Sequence, residues 1–261
     1  MPVAVHEDVV IHELSICATF FHRKHLGNAM NLLITNDDGY DAPGIQLLAS
    51  VAAKFGDVTI VAPANQQSGI SHQITFEQPL SFEQRSDAGY TVDGTPADCV
   101  RVAVSLWKSR FDYVLSGVND GANLGVDVMY SGTVGAAREA TFFGIPAIAL
   151  SQYRANYSTS DSFDFEKTRP LLESLLSDLL SRPDRNAMVT NVNLPDRAAS
   201  VPQTQIDRIN CKVDPSPLPA DFENTESGLL YTGKYIDRPR KKGMDTAICF
   251  AGDVSISEIR F

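Results

Sequence analysis

NLLITNDDGYDAPG, residues 31–44, decides how this chain folds: an apolar run ends abruptly on two adjacent carboxylates and a glycine. Leu32, Leu33 and Ile34 have the composition of a short strand buried on both faces, with Asn36-Asp37-Asp38-Gly39 at its carboxyl end. Open α/β sheets bind their ligands at that edge. Neighbouring carboxylates repel unless a cation or a shared proton intervenes, and two hard oxygen donors favour magnesium or manganese. The competing reading is a polar turn that closes a strand, since Asp-Gly turns are common.

Working outward, Gly44 to Gly56 carries Ile45, Leu48, Ala52 and Phe55 at helical spacing, and Gly56 is placed as the C-cap. A strand over Asp57–Ala62 completes a βαβ unit, which predicts a parallel sheet with helices on both faces. That strand runs into a polar loop, Pro63 to His72, containing Gln66-Gln67-Ser68-Gly69. Ile74 to Asp93 reads as an excursion of short strands with a turn at Asp87-Ala88-Gly89. Thr95, Pro96 and Asp98 then form a helix start with capping-box spacing, a structural signature rather than a chemical one.

A third core strand, Asp112–Val118, leads into Asn119-Asp120-Gly121-Ala122-Asn123-Leu124-Gly125, a loop rich in polar donors. Tyr130-Ser131-Gly132-Thr133 opens a helix that ends at Phe143 with Gly144 as its cap, followed by a strand over Pro146–Leu150. A helix start of this kind offers free amides to an anion, although Ser131 or Thr133 also suits simple capping. Leu171, Leu172, Leu175, Leu176, Leu179 and Leu180 mark a further helix, and Ala187–Val192 a further strand. Beyond Pro195 the periodicity weakens, so residues 196–261 are expected to form a β-rich arm on a 30–195 core. Arg238 to Lys242 reads as a solvated basic loop, second in line for phosphate recruitment.

The chain has 261 residues and a net charge of −10, which disfavours a nucleic-acid duplex or an anionic membrane as partner. Four scattered cysteines, Cys17, Cys99, Cys211 and Cys249, suggest neither a zinc site nor a disulfide framework, and point to a reducing, cytoplasmic setting. No apolar run approaches the ~18 residues of a membrane-spanning helix. Residues 1–29 lack signal-peptide polarity, because acidic residues precede the patch Leu14–Phe21 and basic ones follow it. They are read as an extension, with Met30 as the functional start.

Taken together, NDDGYDAPGI, QQSGIS, DGTPADCV, SGVNDGANLG and MYSGTVGAAREA resemble the SurE family of metal-dependent nucleotidases, also called stationary-phase survival proteins. The match covers Met30 to about Leu150 in order and spacing, and continues more weakly through Asn191-Val192-Asn193 and Gly243 to Ser257. The resemblance implies a Rossmann-like core with one divalent cation, magnesium or manganese, on Asp37, Asp38, Ser68 and Asn119. It also implies hydrolysis of nucleoside 5′- and 3′-monophosphates, with short polyphosphate as a secondary substrate, and arm exchange in a homodimer or homotetramer. Asp37 and Asp38 are the candidates for proton transfer. Asn36, Gly69, Asn123, Ser131, Gly132 and Thr133 are expected to bind the substrate and its phosphate. The chain departs from the family pattern in three places: Gln67 stands where a basic residue is common, Met244 replaces a threonine, and Ser257-Glu258-Ile259 replaces Thr-Pro-Leu.

A receiver-type regulatory domain is the rival of a different class, since it too keeps an acidic pair after its first strand. It needs a phosphoacceptor aspartate ending the third core strand, where this chain has Ser116-Gly117-Val118-Asn119. A haloacid-dehalogenase-type phosphatase needs two aspartates separated by one residue. A dinucleotide-binding module would require a glycine fingerprint that is absent.

Overall fold

The computed structural model describes residues 29–107, 111–155, 163–182 and 188–260. The extension over residues 1–28 lies outside them. The order is β1 (Met30–Thr35), α1 (Pro43–Ala52), β2 (Gly56–Pro63), β3 (Phe82–Ser86), β4 (Gly89–Val92), α2 (Pro96–Trp107), β5 (Tyr113–Asp120), α3 (Gly132–Phe142) and β6 (Ala147–Gln152). There follow α4 (Arg169–Leu180), β7 (Val189–Leu194), β8 (Arg208–Cys211), β9 (Phe222–Thr225), β10 (Gly228–Tyr231), α5 (Asp245–Ala251) and β11 (Val254–Ile259).

Nine strands form one sheet in the order β3-β4-β2-β1-β5-β6-β7-β11-β8, and β9 and β10 form a separate hairpin. From β4 to β7 every neighbouring pair is parallel, whereas β3 and β11 run antiparallel to β4 and β7. β1 lies between β2 and β5, so the chain winds outward from β1 in both directions. Such a switch point opens a crevice at the carboxyl ends of the strands. The residue pattern explains the layering: Leu32 and Ile34 face one core with α1 and α4, and Leu33 faces the other with α2 and α3. The six leucines of α4 are all buried, each worth roughly 2 kcal/mol of transfer free energy.

Several boundaries differ from the sequence reading. α1 ends at Ala52 with Ala53 as its cap, and Gly56 instead opens β2. Glycine is required there because a Cβ would lie 2.1 Å from the Met30 carbonyl oxygen of the adjoining strand. β5 runs on to Asp120 after a bulge between Ser116 and Asn119, which carries Asn119 to the strand end rather than into the loop. β7 starts at Val189, two residues later than expected. The excursion is not peripheral, since β4 pairs with β2 and extends the main sheet. The β-rich arm divides likewise: β8 and β11 return to the main sheet, where Val254 and Ile256 enter the core, and only the β9–β10 hairpin stands apart.

The basic stretch at 238–242 is a correction as well. Arg238 is not a solvated loop residue: its guanidinium forms a two-pronged ion pair with Asp127, stacks 4.0 Å over the Tyr235 ring, and is 9% exposed. Tyr235 donates its hydroxyl to Ala122 O, and the Asp245 carboxylate accepts from the amides of Gly125, Asp214 and Thr246. These contacts fasten the arm to the loop after β5 and leave Arg238 committed rather than available to phosphate.

Candidate active site

The carboxyl ends of β1, β2 and β5 meet because these strands are neighbours, and each delivers one part of the site. Asp37 is 5% exposed. Its Oδ1 accepts from Thr133 Oγ1 at 2.6 Å, at the first turn of α3. A Cβ at Gly132 would stand 2.9 Å from the Asp37 Cβ, so glycine is what lets the helix start press against this carboxylate. The partial positive charge of a helix N-terminus favours an anion at that spot. Burial, followed by the charge of Asp38, nonetheless pushes the Asp37 carboxyl up to about 7. Burial also raises the Asp38 carboxyl, offset in part by the Asp120 amide that donates to Asp38 Oδ2 at 3.1 Å.

The two flanking loops are tied to this pair through the neighbours of the other candidate ligands. Gln67 N, one residue before Ser68, donates to Asp37 O at 2.7 Å. Asp120 N, one residue after Asn119, holds Asp38. Ser68 Oγ accepts from Gln66 Nε2 at 2.9 Å, and Asn119 Nδ2 donates to Gly121 O at 2.7 Å. With its amide nitrogen committed, Asn119 is left with Oδ1 as the atom suited to a cation.

Farther along the β2 loop, Ser71 N and Oγ donate to the carbonyls of Tyr130 and Met129, and His72 Nε2 lies 2.6 Å from Glu139 on α3. Arg101 donates to the other Glu139 oxygen at 2.8 Å. The loop is thereby anchored to α3 on its far side. Nothing in the spacing of His72, Arg101 and Glu139 signalled this contact.

Not every expected substrate residue presents its side chain. Asn36 is fully buried and closes its amide on Gly39, donating to the carbonyl and accepting from the N–H, so it shapes the turn. Asn123 points into the core: its Nδ2 donates to Ser151 Oγ, and its carbonyl accepts from Asn191 and Asn193. Ser131 is the N-cap of α3, accepting from Val134 N at 3.0 Å. Gly69 sits exposed in its turn with φ +71°. Asp98 is structural, as its spacing indicated, bonding Thr95 and Thr75. Thr133 was read for its amide, and its hydroxyl contact to Asp37 is visible only in three dimensions. Asp120, at the end of β5, and Arg154, two residues beyond β6, belong to no sequence motif that pairs them.

Among the described residues no three His, Cys, Asp or Glu side chains cluster as a metal centre. A cation here would therefore draw on neutral oxygens besides the two aspartates. Comparison with known proteins agrees with this architecture. A family model described as Survival protein SurE matches residues 32–213. A relative from Nostoc sp. is 40% identical over 231 residues, covering 88% of this chain and all of that protein. The 5′-nucleotidase SurE of Legionella pneumophila is 35% identical over 232 residues, covering 88% of this chain and 90% of that protein. The crystal structure of SurE protein from Aquifex aeolicus superposes with a TM-score of 0.76 at 30% identity, covering 88% of this chain and 93% of that one. With the family model spanning most of the α/β sheet, and with relatives matched over nearly their whole length, the chain belongs to the SurE family.

Proposed function

We propose that this chain is a divalent-metal-dependent phosphomonoesterase that hydrolyses nucleoside 5′- and 3′-monophosphates to nucleoside and orthophosphate, with short polyphosphate as a secondary substrate. The observation that carries the reading is the adjacent pair Asp37 and Asp38 at a strand end, the first buried against the start of α3 and the second half-buried beside it. A carboxyl pushed up to about 7 by burial and a like charge is one that a cation would return to its ionised form. Asp37, Asp38, Ser68 and Asn119 fit magnesium or manganese, since all four offer hard oxygen donors from three adjoining strand ends. When bound, such an ion polarises a phosphoryl oxygen and makes water a better nucleophile at neutral pH.

The chain's own groups perform the remaining work. The amides at Gly132 and Thr133, with Gly69 across the crevice, hold the phosphoryl oxygens as negative charge builds on them. Asp37 and Asp38 are the carboxylates placed to take a proton from the attacking water or to give one to the departing nucleoside oxygen. Ser131 keeps the helix start in place as its cap, and Asn36 and Asn123 fix the loops around it.

Assembly as a homodimer or homotetramer belongs to the same reading. Phe222, Leu229, Leu230 and Tyr231 stand exposed on the β9–β10 hairpin, an apolar surface of the kind that marks contact between chains. Light scattering at micromolar concentration tests it, and a monomer would count against it. A cytoplasmic setting is supported by Cys99, Cys211 and Cys249, all free thiols. Among the described residues no helix is long and apolar enough to cross a membrane.

The activity is tested by phosphate release from nucleoside monophosphates, polyphosphate and an aryl phosphate, each with magnesium, manganese or a chelator. Release that survives chelation, or that is confined to the aryl phosphate, would overturn the proposal.

A further inference from the structure

A third carboxylate stands beside the aspartate pair. Asp120 follows Asn119 directly, and its main-chain N–H is the group bonded to Asp38 Oδ2. Its side chain receives Arg154 Nη1 on both oxygens, at 2.9 and 2.8 Å. Arg154 lies two residues beyond the end of β6, at the same edge of the sheet, and its side chain is 8% exposed against 30% for Asp120. Its guanidinium also rests 5.5 Å from the Phe163 ring centroid. A buried guanidinium is thus built into an edge that carries three carboxylates, in a chain of net charge −10. Gln67, in the facing loop, contributes no charge.

Resting on the proposed metal-dependent hydrolysis, we infer that the Asp120–Arg154 pair sets the balance between cation and phosphate at this site. Arg154 is a positioning residue in that scheme. It cancels the Asp120 charge, so that an incoming dianionic phosphate meets two carboxylates and their cation instead of three carboxylates, and it steadies the peptide that binds Asp38. Direct contact of Arg154 with phosphate is the weaker reading, because the side chain is buried and turned onto Asp120. An unpaired charge in a partly buried site changes binding by roughly five- to tenfold.

The consequence is a pair of effects with opposite signs, which an ion pair of merely structural value would not produce. Arg154→Gln leaves Asp120 unpaired: KM for a nucleoside monophosphate should rise about five- to tenfold with a smaller change in kcat, while Mn2+ binds a few-fold tighter by titration calorimetry. Asp120→Asn removes one negative charge from the residue whose N–H binds Asp38, and Mn2+ should then bind a few-fold more weakly without a rise in KM. The double variant should recover both constants to within about threefold, the signature of coupling in a double-mutant cycle.

KM and Mn2+ affinity worsening together in both single variants, without recovery in the double, would overturn the inference. Should Arg154→Gln fail to fold, Asp120→Asn alone still decides, since a raised KM in that variant contradicts the charge balance. Asp38→Asn is the control for the underlying reading. If Mn2+ binding to the wild-type protein is absent or unaffected by that change, the metal site itself is overturned and the inference with it.

Discussion

Replacing Asp37 by Asn should make the metal-free protein more stable while destroying its activity. The carboxyl is moved from 3.8 to about 7 chiefly by burial, so ionising it in the folded apo protein costs at most about 4 kcal/mol. The sign follows from proton binding. Below about pH 4 both folded and unfolded chains hold the proton and nothing is lost; between about 4 and 7 only the folded chain holds it, and stability falls as pH rises through that window. Above about 7 the penalty is complete.

Asn keeps the acceptor for Thr133 Oγ1 but must bury an amide NH2 in place of Oδ2, a loss of about 1–3 kcal/mol. The net gain above pH 7 is therefore about 2 kcal/mol, a rise in apo melting temperature of roughly 4–8 °C for a chain of this size. The assay is thermal melting in chelator from pH 4 to 8.5, paired with turnover at saturating Mn2+. The difference between variant and wild type should be near zero at pH 4, grow through pH 7 and then level off. Asp38, also raised by burial, leaves a residual slope of the same sign in both proteins. Turnover should fall on the order of 10²-fold or more. A variant that melts at or below wild type at pH 8 with an unchanged pH profile would refute the electrostatic account, and near-normal turnover would refute the site.

Ser68→Ala and Asn119→Ala remove neutral donors that water can replace, and calorimetry should show Mn2+ affinity falling about tenfold at most, less than for either aspartate. Gly132→Ala would put a methyl group 2.9 Å from the Asp37 Cβ; kcat should fall more than stability does, measured by turnover beside melting. Arg238→Met strands Asp127 at the arm contact, with an expected loss of about 3 kcal/mol by denaturant unfolding and faster proteolysis between residues 213 and 244. A chain beginning at Met30 should fold and keep its activity, because β1 and every motif lie downstream; loss of folded protein would contradict this.

The amino-acid sequence by itself determined the parallel α/β core, because burial on both faces demands unbroken apolar runs such as Leu32–Ile34, and helices covering a sheet demand the spacing seen in the α4 leucines. It also marked the candidate site, since two adjacent aspartates at a strand end carry an electrostatic cost that a mere turn does not require. Caps were legible for the same local reason: Ser131 and the Thr95–Asp98 box bond within three residues of themselves.

Only the tertiary structure decided the rest. β1 lying between β2 and β5 is a long-range pairing, and that arrangement brings the loop that carries Ser68 and the strand end that carries Asn119 to the same sheet edge as the aspartates. Asn123 looked like a ligand because polar loops usually face water; it turns inward because Asn191, Asn193 and Ser151 offer buried partners from other strands. Arg238 looked solvated because its neighbours are basic, and it is buried because Asp127, 111 residues away in sequence, lies beneath it. Arg154 and Asp120 show no pattern at all along the chain. Local sequence specifies what each strand and helix is, through periodicity and capping, whereas the partner of each charge depends on which strands become neighbours.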